Sequence, residues 1–267
     1  MARTTLSRVY HALLLLGCLS LLAFVGQAQR TYQLNLGTDL GLVAIGGWAN
    51  YKGSLLWGTI DIGKRASEVS YGRLTAFEGS LSAHGRPRAG RLSDVFRDVG
   101  KFAPTALLAL PAARREGLPL GIMLAETCLL SSGLTTVLKA GIRRPRPYVY
   151  FGASDGVPLE KYDQTSFVSG HTSASATGAF FVASVFEDLY PNSKLRPYVW
   201  AAAITVPAVT GMLRVRAGRH YVSDVICGYA IGAAAGCVVP WLHRVNEKMK
   251  RVEVNVAGNG LAGSFTF

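Results

Sequence analysis

Four apolar runs of helix length succeed one another in the second half of the chain, over residues 118–138, 174–185, 198–212 and 225–242. The last three are rich in Ala and Gly, residues small enough to let helices pack closely in lipid. A further helix is expected over 92–113. It opens with Asp94, Arg97, Asp98 and Lys101 at helical spacing, which reads as an outer end laced by ion pairs, and then turns apolar. Residues 36–57 are Gly-rich and moderately apolar but interrupted by Asp39, Asn50 and Lys52, the pattern of an interfacial helix or a poor span. At the start of the chain, Arg3 and Arg8 precede an apolar run at 12–25 and then Gly26-Gln27-Ala28. That order is expected of an export signal cleaved after residue 28, with an uncleaved anchor as the alternative. The tail alternates apolar and polar residues about Asn259-Gly260 and predicts a small β-hairpin.

Composition places this pattern in a membrane. About half of the 267 residues are hydrophobic and only 16% are charged. The mean hydropathy is +0.25. Such values suit helices in lipid with modest loops. The net charge of +12 fits anionic lipid, a phosphorylated substrate or nucleic acid. No nucleic-acid motif accompanies it, so nucleic acid is set aside. Cys18, Cys128, Cys227 and Cys237 lie inside apolar stretches without CxxC spacing and read as small buried hydrophobes.

Chemistry concentrates in three stretches. The segment 214–224, RVRAGRHYVSD, holds Arg214, His220 and Asp224. If a helix starts near Tyr221, Asp224 lies one turn from His220 on the same face. A carboxylate there can fix the imidazole tautomer and leave the other ring nitrogen as a nucleophile or base. Taken alone, the segment could equally be a surface histidine with a capping aspartate. Upstream, KAGIRRPRP carries Lys139 and Arg146-Pro147, and TSFVSGHTSAS carries Ser169-Gly170-His171 just before an apolar run. A hydroxyl, a glycine and a histidine at a helix start make a ready anion site. Of the other histidines, His11 is in the leader, His84 in the basic loop 82–91 and His243 at a span end.

These three stretches, in this order and with these internal spacings, resemble the signature of the type 2 phosphatidic acid phosphatase (PAP2) superfamily. That signature is Lys-x6-Arg-Pro, then Pro-Ser-Gly-His, then Ser-Arg-x5-His-x3-Asp. The resemblance covers roughly residues 130–245. Two positions depart: Val168 stands where the family has Pro, and Leu213 where it has Ser. The resemblance implies an all-α integral membrane bundle of about five or six helices with the PAP2/haloperoxidase-type core. It implies hydrolysis of a lipid phosphate or diphosphate through a phosphohistidine, with no metal and no cofactor. His220 would be the nucleophile, Asp224 its orienting partner and His171 the acid and base at the leaving oxygen. Lys139, Arg146, Arg214, Ser169 and the Gly170 N–H would hold the phosphoryl oxygens. Arg143 and Arg144 fall outside the matched positions and are expected to select a more highly charged head group or to meet lipid phosphates.

The expected organisation is therefore a leader at 1–28, an N-terminal region at 29–91, a catalytic helical domain at 92–245 and a tail at 246–267. All three motifs must meet at one end of the bundle. The opposite connections carry Arg114-Arg115, Lys194 with Arg196, and Arg244 with Lys248, Lys250 and Arg251. By the positive-inside rule that end is cytoplasmic, and the motifs face the periplasm or exterior of a bacterial-type inner membrane. Isoprenyl diphosphates, phosphatidate-like lipids and lipid A all fit as substrates. Two other readings stay open: a soluble acid phosphatase or vanadate haloperoxidase relative, and a catalytically silent membrane protein that binds or transports anionic lipid. Glu126, an ionisable group at membrane depth, is either functional or packed against another span.

Overall fold

The computed structural model describes residues 31–62, 86–151, 158–245, 255–257 and 260–262. Among these residues the α-helices, numbered in chain order, are α1 Leu36–Gly58, α2 Pro87–Phe102, α3 Pro111–Arg115, α4 Gly117–Ile142, α5 Pro147–Tyr150, α6 Gly170–Leu189, α7 Arg196–Arg216 and α8 Val222–His243. The expected leader at 1–28 and the first part of the basic loop, 82–85 with His84, lie outside the described residues, and the rest of that loop is helical from Pro87. Two three-residue strands, β1 Asn255–Ala257 and β2 Gly260–Ala262, pair antiparallel with Val256 opposite Leu261.

Three of these segments are long and apolar enough to cross a membrane: Gly117–Tyr150, Arg196–Arg216 and Val222–His243. About five or six helices are expected from the resemblance, and the broken 92–113 run, α6 and α1 are the ones not among these three. Helix α6 is the centre of the bundle, packed against α2, α4, α7 and α8. It carries hydroxyls where a lipid-facing helix would carry leucines. Ser131 and Thr135 of α4 meet Ser173 and Thr177 of α6 in a buried network, with Ser131 and Ser173 hydroxyls 2.9 Å apart and Thr177 donating to Ser131 at 2.7 Å. Large apolar side chains point outward instead, among them Trp48, Ile204, Ile226 and Trp241. Hydroxyls inside and apolar groups outside is the arrangement of helices solvated by lipid, where interhelical hydrogen bonds and close packing hold the bundle.

The close packing depends on glycine along α8. A Cβ on Gly236 would lie 2.8 Å from the Phe181 nitrogen and the Thr177 carbonyl oxygen of α6, and Gly228 and Gly232 approach the Ser169 and Ser173 carbonyls more closely still. Real side chains do not fit at those separations, so this stripe sets how near α8 comes to α6. It thereby brings the start of α8, with Asp224, beside the start of α6, with Ser169. The Ser169 N–H donates to the Asp224 carbonyl at 2.8 Å.

The expected helix over 92–113 is a correction. Helix α2 starts earlier, at Pro87, and ends at Phe102. A 3-10 segment, Ala103–Ala109, and the short α3 follow. The reason is Pro104, which has no N–H to continue the ladder and whose ring clashes with the preceding turn, followed by a second proline at 111. The stretch 36–57 is helical throughout, as α1. It is a continuous 23-residue helix, capped by the Asn35 side chain on the Gly37 and Thr38 N–H groups, and it packs along α4. Its polar interruption Asn50 donates to the carbonyls of Gly46 and of Leu129 in α4 at 2.8 and 2.9 Å.

Candidate active site

The C-terminal ends of α4 and α7 and the N-terminal ends of α6 and α8 meet at one end of the bundle. That end gathers all three sequence motifs. Helix N-termini carry unpaired N–H groups and a partial positive charge, so two of the four elements already favour an anion.

His220 sits in the turn between α7 and α8 and is 1% exposed. Its Nε2 faces the Arg146 guanidinium at 3.5 Å. Its Nδ1 lies 3.4 Å from Asp224 Oδ2, an ion-pair separation rather than an ordinary hydrogen bond. Helix α8 begins at Val222 with Tyr221 as its cap, so Asp224 lies in the first turn as the spacing predicted. Asp224 is fully buried and accepts from the Ser166 hydroxyl, the Tyr221 N–H at 2.9 Å and Arg144 Nη1 at 2.8 Å. Desolvation, then the positive charges of Arg146, Lys139 and Arg214, hold the His220 pKa well below the usual histidine range. At neutral pH the ring is uncharged and retains a lone pair.

The cations are each fixed differently. Arg146 donates from Nε to the Tyr162 carbonyl at 2.6 Å and from Nη1 to the Arg219 carbonyl at 3.0 Å, which points its fork at His220. Lys139, in the last turn of α4, donates to the Thr165 carbonyl at 3.0 Å and packs beside Gly170. Arg214, in the last turn of α7, donates to Ser93 Oγ at 3.3 Å and lies 3.8 Å from Asp94. Arg214 Nε and His220 Nδ1 are buried with no hydrogen-bond partner among the described residues. A buried guanidinium N–H left unpaired is costly unless an anion fills the gap.

Ser169 caps α6, its hydroxyl 2.9 Å from that of Thr172, and is fully buried. Gly170 opens the helix and His171 follows it. His171 Nε2 meets Asp94 Oδ1 at 2.9 Å and Arg97 Nη1 at 2.8 Å. One partner accepts and the other donates, so the same nitrogen is supported with or without a proton. Val168 and Leu213, the two departures from the family pattern, are both buried apolar side chains.

All eight site residues named from the sequence, His220, His171, Asp224, Lys139, Arg146, Ser169, Gly170 and Arg214, thus line one end of the bundle. Three neighbours have roles at the site other than those expected from the sequence. Arg144 pairs with Asp224 and with Ser223 at 2.7 Å, and its guanidinium covers the Tyr221 ring at 3.9 Å. Asp94 and Arg97 of α2 hold His171 rather than simply lacing a helix end. Arg143 turns away. It caps α4 in the left-handed conformation, φ 53°, and binds the Thr59 hydroxyl at 2.6 Å, tying α4 to the end of α1.

Part of the chain is similar to known proteins. Residues 120–248 match the PAP2 superfamily. A lipid A 1-phosphatase from Rhizobium johnstonii is 37% identical over 117 residues, 43% of this chain and 44% of that protein. Phosphatidylglycerophosphatase B from Bacillus subtilis is 33% identical over 120 residues, 44% of this chain and 54% of that protein. The matched stretch spans about half the length of these relatives or less. The crystal structure of Aquifex aeolicus LpxE superimposes with a TM-score of 0.42 at 23% identity, covering 61% of this chain and 92% of that one. The stretch that matches the PAP2 superfamily, residues 120–248, contains the whole constellation apart from Asp94 and Arg97.

Proposed function

We propose that this chain is a membrane phosphatase that hydrolyses a lipid phosphate or diphosphate through a phosphohistidine on His220. The observation that carries the proposal is the set of three cations, Lys139, Arg146 and Arg214, whose charges converge on a buried, uncharged histidine. Nε2 of His220 attacks phosphorus. Nδ1 carries the ring proton and faces Asp224, which stabilises the charge that develops as the N–P bond forms. The three cations and the start of α6 hold the phosphoryl oxygens, supplying charge where it builds in the transition state. His171 gives a proton to the leaving oxygen, with Arg97 replacing Asp94 as the partner of its Nε2, and then takes one from the water that cleaves the N–P bond. The site lies at the ends of membrane helices, so a lipid enters sideways from the bilayer with its head group at the motifs. The basic connections at the other end orient this site away from the cytoplasm.

The relatives named above act on lipid A and on phosphatidylglycerophosphate, which supports the lipid phosphate class. The test is inorganic phosphate release by detergent-purified protein from a panel containing lipid A, phosphatidate, phosphatidylglycerophosphate and an isoprenyl diphosphate. Hydrolysis of at least one, with little turnover of water-soluble phosphate esters, is the expected result. Turnover of soluble esters alone would overturn the lipid assignment.

The depressed pKa of His220 gives a pH prediction. The acid limb of kcat/KM, which reports the free enzyme, lies below the ordinary histidine value of about 6.5. The unfolded chain binds a proton that folded His220 refuses, so stability also declines as pH falls below that value. A limb at or above the ordinary value in a pH-rate profile would contradict the buried, cation-flanked setting.

A further inference from the structure

At the end of the bundle away from the motifs, three residues distant in sequence meet in the interior. Asp39 comes from the first turn of α1, Glu126 from α4 and His243 from the last turn of α8. Along α8, His243 stands nineteen positions from Asp224, about 28 Å at the rise of a helix. This cluster is therefore separate from the phosphoryl site. Its members are 5%, 1% and 1% exposed. His243 Nε2 lies 2.9 Å from Asp39 Oδ1 and 3.3 Å from Glu126 Oε2.

With both carboxylates ionised, the hydrogen-bond inventory does not close with these groups alone. His243 Nδ1 lies 2.8 Å from the Val239 carbonyl, an acceptor only, so Nδ1 must carry a proton. In the neutral ring Nε2 is then a lone pair facing two carboxylates. Protonating it supplies one donor, which Asp39 Oδ1 takes at 2.9 Å. Asp39 Oδ2 and both oxygens of Glu126 have no hydrogen-bond partner among the described residues. Two carboxylates in a lipid-embedded interior also carry two negative charges, which a single imidazolium does not cancel.

We propose that Asp39, Glu126 and His243 bind one divalent transition-metal ion of the zinc class. One ligand atom from each residue lies within 4.8 Å of the others. Ligands at 2.0–2.1 Å around a tetrahedral ion stand about 3.3 Å apart, close to the two separations found at His243. The donation from Nδ1 to a backbone carbonyl is the usual device that presents Nε2 to a metal. A +2 ion cancels both carboxylates and leaves the histidine neutral. One imidazole and two carboxylates suit zinc, manganese or iron rather than a thiolate-seeking ion. The ion would clamp α1, α4 and α8 together, a structural role distinct from the chemistry at His220.

The test is metal content and thermal stability of the full chain in detergent, after equilibration with zinc and removal of free ion. Wild-type protein is expected to retain about one zinc per chain and to melt higher with zinc than without. Glu126→Gln and His243→Asn are expected to retain less than a tenth as much zinc and to lose the shift. Phosphate release by Glu126→Gln checks that the variant is folded. Should a variant fail to fold, cobalt-loaded wild type decides. Visible bands of a tetrahedral nitrogen and oxygen site, without thiolate charge transfer, support the cluster over the cysteines. No stoichiometric zinc, manganese or iron in the wild type, or equal metal in Glu126→Gln, would overturn the proposal. The same result would assign the site to protons shared by the three residues.

Discussion

His220→Ala is expected to lower phosphate release from the preferred lipid by at least about 10⁴-fold, the scale on which removing a covalent nucleophile acts. That loss corresponds to roughly 5 kcal/mol of transition-state stabilisation. His220→Gln, which keeps most of the volume and a hydrogen-bonding group, is expected to be as inactive, because an amide cannot form the N–P bond. The pair of variants separates chemistry from packing. His220 is fully enclosed, so the alanine variant also leaves a gap and melts earlier. The glutamine variant is expected to keep a melting temperature nearer the wild type. Phosphate assay and melting curves on both variants give the answer. Activity within tenfold of wild type in either would remove His220 from the chemistry.

The second large effect concerns Arg144, which no motif position marks. Arg144→Ala strips the fully buried Asp224 of its cationic partner and leaves the carboxylate with Ser166 and the Tyr221 N–H. Removing one member of a buried ion pair typically costs about 3–5 kcal/mol. The surviving bonds and the partial exposure of Arg144 place this case at roughly 2–4 kcal/mol. Phosphate release is expected to fall as well, since Asp224 supports His220. Arg144→Lys is expected to rescue little. Only a planar guanidinium can meet Asp224 and Ser223 while covering the Tyr221 ring. A double-mutant cycle with Asp224→Asn measures the coupling. The penalty for Arg144→Ala should shrink sharply once the carboxylate is gone, and an unchanged penalty would contradict the pairing.

The site was legible in the sequence to the extent that its chemistry is local. His220 and Asp224 are one helical turn apart, and Ser169, Gly170 and His171 are consecutive, so spacing alone brings each set together. What escaped was chemistry assembled across the chain. Asp94 and Arg97 stand 77 and 74 positions from His171. Their spacing within α2 looks the same whether they pair with each other or with another helix. Arg144 sits beside Arg143 in the same basic run, yet one turns inward to Asp224 and the other outward to Thr59. The left-handed backbone at Arg143 sends them apart, and no pattern of charges records that. The Asp39, Glu126 and His243 cluster spans 204 positions. Sequence could mark Glu126 only as a carboxylate at membrane depth. For the fold, apolar runs located α4, α7 and α8 but undervalued α6, whose serines and threonines face other helices. The break after Phe102 was signalled by Pro104 and obscured by the apolar run around it.

The most direct test of the central claim is capture of the covalent intermediate. Protein carrying His171→Ala, which slows the hydrolysis of the N–P bond, would be mixed with a ³²P-labelled lipid phosphate and quenched in alkali. Label bound to protein, stable in alkali, released by mild acid and absent from the His171→Ala, His220→Gln double variant is the predicted result. Hydrolysis of the lipid with no bound label, or label that persists without His220, would contradict a phosphohistidine at this position.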